Sequence, residues 1–226
     1  MSSPQHLFCD GYDRAIRYIN ERRRNGLKTA VFTPNVEMLS LSAKDENLKA
    51  LLKRGDLLLP DGIGVYLAAR LSGCHPKERT NGIDLAERLM RARCNEMTLF
   101  LIGAKPGIAK RAAIELQHKC PSLRIVGTHH GYFSETDSGD VIKMIDRSGA
   151  NTLFVCLGFP RQEKWIAENM PKLKSVDLAI GLGGSLDVWS GSVRRAPKLF
   201  RACGLEWLWR IIIEPRRIAR ILNLLK

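Results

Sequence analysis

Short, nearly continuous apolar runs alternate with amphipathic stretches along most of the chain. Lys28 to Phe32, Leu57 to Leu59, Thr98 to Ile102, Leu123 to Val126, Thr152 to Leu157 and Val176 to Ile180 are such runs, and most stop at Pro, Gly or a polar residue. That is the pattern of strands buried on both faces. Between them lie segments with helical periodicity: Tyr12 to Arg24, a segment from Val36, Asp45 to Lys53, a stretch reaching about Ser72, Ile83 to Arg93, Ile108 to Lys119, Val141 to Arg147, and one ending near Met170. Basic Arg22, Arg23 and Arg24 close the first of these, where cations suit the helix dipole. The alternation predicts an α/β fold with a mainly parallel sheet covered by helices on both faces.

Polar residues collect where the strands end. Thr33, Pro34 and Asn35 follow the first run, Pro60, Asp61 and Gly62 the second, and GAKPG, GFPRQEKW and GLGGSLD the later ones. Ligands of open α/β sheets bind at these carboxyl ends, so the Pro60 to Gly64 turn is the centre of interest. Proline stops the strand, glycines allow the turn, and Asp61 is left at the strand end. In isolation that carboxylate has two readings, a cap for the following helix or a chemical group. GIGVYL at Gly62 and GLGGSL at Gly181 are incomplete dinucleotide fingerprints, equally well explained as tight turns. The loop from Gly103 to Gly107 opens a helix and offers N–H groups to a phosphate.

Composition narrows the class. The 226 residues are 45% hydrophobic, enough for a sizeable core, and carry a formal charge of +13, which favours an anionic partner. Six cysteines occur without a CxxC pair, which argues against a zinc or disulfide framework and predicts reduced thiols in a cytosolic protein. The amino terminus has no signal-peptide pattern, and no apolar run is long enough to span a bilayer. From Arg194 to Lys226 basic residues outnumber acidic ones, with only Glu206 and Glu214 against them, and Trp207, Trp209 and several Ile and Leu are interspersed. Such a tail suits a membrane interface or a helix packed on the core with a solvated basic face; Pro215 is expected to divide it into two helices.

The strings FTPNVEML, LLLPDGIGV, ERTNGIDL, LFLIGAKPG, GFPRQEKW, IGLGGSLDVWSGSVRRAPK and GLEWLWRIIIEPRRIAR, in this order, resemble the WecG/TagA/CpsF glycosyltransferases from about Asp10 onward. Thr80 and Asn81 depart from the pattern, standing where an apolar and a small or hydroxyl residue are expected. The resemblance implies a Rossmann-like core over residues 1–195 and a carboxy-terminal appendage over 196–226 that binds membrane and closes over the active site. It implies transfer of N-acetylmannosamine from a UDP-sugar donor to a polyprenyl-diphosphate-linked N-acetylglucosamine acceptor, with a β-1,4 bond and inversion, for wall teichoic acid or a related polysaccharide. Members using UDP-N-acetylmannosaminuronic acid or UDP-glucose, for common antigen, capsule or exopolysaccharide, share the same motifs. The expected location is the inner face of the bacterial plasma membrane. No cofactor or metal is expected, and the oligomeric state is open.

Inverting transfer needs a base for the acceptor hydroxyl and cationic or N–H groups for the leaving diphosphate. The family motif favours Asp61 as that base over the capping reading. Thr33 and Asn35 are expected to contact sugar, Gly103 to approach the donor, Arg79 to pair with the diphosphate, and Gln162 and Glu163 to meet uridine or sugar hydroxyls. Arg210, Arg217 and Arg220 resemble appendage arginines that reach the diphosphate, neutralising charge where no DxD pair holds a metal. Asp84 and Asp187 are rival carboxylates, read as a helix-start and a structural residue. A nicotinamide-dependent oxidoreductase lacks its complete fingerprint here, and a nucleic-acid-binding protein lacks a recognition motif.

Overall fold

The structure is a computed structural model and describes residues 8–213. Strands β1 (Thr29–Phe32), β2 (Leu57–Leu58), β3 (Thr98–Gly103), β4 (Arg124–His129), β5 (Thr152–Cys156) and β6 (Leu178–Gly181) form one six-stranded sheet in the order β2-β1-β6-β5-β3-β4. Every neighbouring pair is parallel. The chain steps outward from β1 to β2, crosses to β3, steps outward in the opposite sense to β4, and fills the gap with β5 and β6. Direction therefore reverses near the sheet's middle, which opens a crevice at the carboxyl ends.

The helices are α1 (Gly11–Arg24), α2 (Val36–Lys44), α3 (Glu46–Leu52), α4 (Ile63–Leu71), α5 (Gly82–Ala92), α6 (Ile108–Lys119), α7 (Ser138–Ser148), α8 (Arg161–Asn169), α9 (Ser185–Trp189), α10 (Lys198–Ala202) and α11 (Glu206–Ile213), with a 3₁₀ turn at Met170–Lys172. Successive strand side chains point to opposite faces. Val31, Leu99, Leu101, Phe154, Leu178 and Ile180 accordingly pack against α1, α5, α6 and α9. Ala30, Phe32, Phe100, Ile102, Leu153 and Val155 pack against α2, α3, α7 and α8. Both faces are apolar, which is why the strand runs show no alternation.

Most expected elements fall within a few residues of their places. Strand β4 runs three residues beyond Val126, because Gly127, Thr128 and His129 keep pairing with β3 across a register shift between Leu99 and Phe100. Its side chains are only half-buried, so this edge strand lacks the apolar signature of its neighbours. Helix α9 is absent from the sequence reading, its five residues being too few to show a period. The appendage breaks at Cys203–Leu205, between α10 and α11, while Pro215 lies outside the described residues. Among the described residues no helix is long and apolar enough to cross a membrane.

The expectation of six reduced thiols is corrected for one pair. Cys9 and Cys74 form a disulfide across 65 residues of sequence, and Cys94, Cys120, Cys156 and Cys203 are free. The pairing is tertiary and so invisible to local spacing. The segment before α1 runs along the loop after α4, where Lys77 N–H donates to Cys9 O at 3.0 Å and Glu78 accepts from Tyr12 N–H at 2.8 Å.

Gly103 closes β3 with φ +137°, and a Cβ there would stand 2.3 Å from the Cys156 carbonyl oxygen of β5. Backbone meets backbone at this point, and neither can yield. Gly103→Ala should cost about 3 kcal/mol or more through combined strain and overlap, read as a lowered urea midpoint at unchanged m-value.

Candidate active site

The carboxyl ends of β1 and β2, the start of α5 and the inner side of α11 enclose a cleft of about 380 Å³. Its lining includes Asn35, Val36 and Glu37 at the start of α2, Asp61 to Gly64, Arg79, Asn81, and Gly204, Glu206, Trp207, Arg210 and Ile211. The turn that presents Asp61 is fastened on both sides by backbone. Leu59 N–H donates to Phe32 O at 2.9 Å, Asp61 N–H to Pro34 O at 2.9 Å, and Gly62 N–H to Thr80 O at 3.1 Å. The Thr80 hydroxyl donates to Pro60 O.

Helix α4 is capped by Gly62, at φ +86°. The Asp61 carboxylate is half-buried and accepts a backbone hydrogen bond from Gly82 at the start of α5. Burial pushes Asp61 up from 3.8 to about 6; Arg210 opposes the shift, and the carboxylates of Glu206 and Asp84 reinforce it. The group is ionised at neutral pH and able to take a proton near it.

The other expected residues divide by location. Asn35 lines the cleft while its Oδ1 caps α2 through Met38 N–H at 2.9 Å. Arg79 also lines it, and its guanidinium donates to the carbonyls of Arg201 and Ala202 at the end of α10. Arg210 lines it from α11. Thr33 is buried, its hydroxyl donating to Gly181 O at 2.9 Å. Gly103, Gln162 and Glu163 are outside the lining of this cleft, and all three are buried. Gln162 Oε1 accepts from Gly158 N–H at 3.2 Å and Gly183 N–H at 3.0 Å, and its Nε2 donates to Glu163 at 2.8 Å. This pair closes the carboxyl ends of β5 and β6, where burial pushes Glu163 up to about 7 against the Gln162 bond. Arg217 and Arg220 lie outside the described residues.

Asn81, Glu206 and Trp207 also line the cleft, a place the sequence did not assign them. Asn81 had a sequence signal, an Asn just before a helical pattern; it caps α5 through Asp84 N–H at 2.9 Å, and its Nδ2 donates to Asp84 Oδ2 at 2.8 Å. Tyr12 adds an α1 contact, its hydroxyl accepting from Asn81 N–H at 2.9 Å. Burial, with the nearby carboxylates of Asp84, Asp61 and Glu78, holds its proton affinity well above the ordinary phenol value. Asp84 is a first-turn residue of α5, and Asp187 lies in α9 with its carbonyl accepting from Val193 N–H at 2.9 Å. Among the described residues no three His, Cys, Asp or Glu side chains are grouped to hold a metal ion.

The sequence matches the family model described as the glycosyl transferase WecG/TagA/CpsF family over residues 7–226. The chain belongs to this family. A relative from Bacillus subtilis (strain 168), named N-acetylglucosaminyldiphosphoundecaprenol N-acetyl-beta-D-mannosaminyltransferase, is 35% identical over 92% of this chain and 79% of its own length. A relative of the same name from Staphylococcus aureus (strain MRSA252) is 31% identical over 84% and 74%. In this WecG/TagA/CpsF glycosyltransferase, LLLPDGIGV carries the Asp61 turn, and FTPNVEML and ERTNGIDL supply the Pro34 and Thr80 carbonyls on its two sides.

The raised proton affinity of Asp61 has a sign that stability reads. The unfolded chain ionises this carboxyl near 3.8 and the folded chain near 6, so folding is penalised increasingly between those values and fully above them. Asp61→Asn should therefore raise stability at pH 8 by on the order of 1–2 kcal/mol and lose that advantage below about pH 4, as seen by thermal melts across pH.

Proposed function

We propose that the chain is an inverting transferase that moves N-acetylmannosamine from UDP-N-acetylmannosamine to the 4-hydroxyl of N-acetylglucosamine-diphospho-undecaprenol, in wall teichoic acid or a related surface polysaccharide. The observation that supports this reading most directly is a half-buried carboxylate at a strand end, with a proton affinity near 6, in a cleft shared with two arginines. The names of the relatives supply the sugar and the acceptor.

On this reading Asp61 accepts the proton of the acceptor hydroxyl as its oxygen attacks the anomeric carbon from the face opposite the UDP oxygen. The glycosidic C–O bond to UDP breaks, and its electron pair leaves with the diphosphate. Arg79 and Arg210 offset that charge, with Arg79 exchanging the carbonyls of Arg201 and Ala202 for phosphate oxygens. No metal is assigned, and the arginines take the role a metal would fill. Residues 196–226 act as an appendage that completes the site. Exposed Val36 and Trp207 line the cleft, and Leu67, Leu71, Leu199 and Ile212 are exposed on α4, α10 and α11. With Lys198 and Arg201 beside them they suit an acidic membrane surface bearing the lipid acceptor.

The test is transfer to a short-chain N-acetylglucosamine-diphospholipid, with and without EDTA, comparing UDP-N-acetylmannosamine, UDP-glucose and the uronic-acid donor. Acceptor-dependent UDP release that survives EDTA and prefers the first donor is expected; preference for another donor overturns the sugar assignment. Asp61→Asn should lower kcat by roughly 10²–10⁴ while leaving UDP-sugar affinity within a few-fold by calorimetry. Deleting the chain after Ala196 should leave a folded core that has lost lipid co-sedimentation and most turnover.

A further inference from the structure

Helix α11 stands between two openings. One is the cleft at Asp61, and the other is a crevice of about 50 Å³ under the opposite side of the helix. Glu206 and Arg210 border both, so the seating of α11 decides the positions of two charges beside Asp61. Arg195 lies in that crevice and touches three carboxylates. Its Nη2 donates to Asp84 Oδ1, Nη1 meets Glu87 Oε1 at 3.5 Å, and Nε faces Glu206 Oε1 at 3.8 Å. Asp84 and Glu87 belong to α5 of the core, and Glu206 opens α11 of the appendage.

The core side of this arrangement is well fixed. Asp84 accepts from Asn81 Nδ2 at 2.8 Å, and Glu87 accepts from Trp189 Nε1 at 3.1 Å. The appendage side is looser: buried Arg195 Nε has no hydrogen-bond acceptor, and approach by about 1 Å would convert its contact with Glu206 into a hydrogen bond. Trp209 Nε1, donating to Arg194 O at 3.2 Å, is a second tie from the same stretch.

We propose that Arg195 is the positioning residue that seats α11 on the core, bridging the α5 carboxylates to Glu206 and thereby holding Glu206 and Arg210 at the cleft. It touches no reacting atom and acts through the helix it anchors. The inference deepens the transferase reading and rests on it for the activity arm of its test. The groups facing Asp61 are Tyr12 from α1, Glu37 from α2, Arg79 from the loop before α5, Asp84 from α5, and Glu206 and Arg210 from α11. Loss of α11 from this set removes one anion, one cation and the cover that dries the carboxylate. Because burial is the largest cause of the raised proton affinity, unseating should return Asp61 towards the ordinary carboxylate range.

The experiment uses the full chain as wild type, Arg195→Gln, Arg195→Lys, Glu206→Gln and the double variant. Hydrogen exchange is followed by mass spectrometry, and kcat/KM is measured across pH. Arg195→Gln should speed exchange in peptides covering 206–213 at least tenfold, leave peptides of β3 and β5 unchanged, and shift the acidic limb of kcat/KM from about pH 6 downward by about one pH unit. Arg195→Lys should restore exchange to within about threefold of wild type. Arg195→Gln added to Glu206→Gln should speed exchange less than threefold further, because both remove one bridge. Unchanged α11 exchange in Arg195→Gln, additive effects in the double variant, or exchange that rises equally in the strands overturns the proposal. A wild-type protein that transfers no sugar counts against the transferase reading, and the exchange arm still decides the seating of α11.

Discussion

The site depends on one constraint, the clamping of the Pro60 to Gly62 turn between two neighbouring backbones. Pro34 O on one side and Thr80 O on the other receive the N–H groups of Asp61 and Gly62, and Thr80 returns a hydroxyl bond to Pro60. These bonds lie along the backbone, so they set the direction of the Asp61 side chain without using its oxygens. Strand pairing brings the Pro34 segment to this place, since β1 and β2 are neighbours in register at Val31 with Leu57 and Phe32 with Leu58. The loop bearing Thr80 arrives by a different route, through the Tyr12 hydroxyl and the start of α5. A carboxylate positioned through its backbone spends none of its oxygens on the turn, which suits the general-base role proposed for it.

The second determinant is the appendage. Five of the fourteen residues that line the cleft come after Ala196, and a sixth, Arg79, has its guanidinium bound to the end of α10. The appendage therefore contributes charges and walls, and the end of α10 holds the guanidinium of Arg79. In the role proposed for Arg79, an incoming diphosphate competes with the peptide carbonyls of Arg201 and Ala202, and a charged acceptor offers the stronger hydrogen bonds. That proposal links substrate binding to the placement of α10 through one side chain.

Most of the fold was legible because a doubly covered parallel sheet writes itself as continuous apolar runs. Where burial was partial the signal failed: β4, at the edge, carries half-buried residues and continues past Val126 unseen, and α9 is too short to declare a period. In the site, Asp61, Asn35, Arg79 and Arg210 could be chosen from strand ends and from motif resemblance, and the structure brings them to one cleft. Glu206 and Trp207 read only as parts of a basic, apolar tail, because their place at the cleft depends on how α11 packs, which no local pattern encodes. The Cys9 and Cys74 pairing escaped for the same reason, being a contact between a terminal segment and a distant loop.

Two carboxyl groups near the sheet's carboxyl edge have raised proton affinities, Asp61 at about 6 and Glu163 at about 7, and burial is the leading cause in both. Their surroundings separate their roles. Glu163 is fully enclosed, one oxygen held by Gln162 and the other without a hydrogen-bond partner, and it backs onto Gly181, whose carbonyl anchors the Thr33 hydroxyl. Gln162 in turn spans the Gly158 and Gly183 amides, so the pair acts as a plug that fixes the ends of β5 and β6. Asp61 has a comparable affinity for a proton but borders open volume, with Arg79 and Arg210 across it. Perturbed acidity by itself nominates both residues; Asp61 borders the open cleft that Arg79 and Arg210 also line, and Glu163 does not, which favours Asp61 as the proposed base.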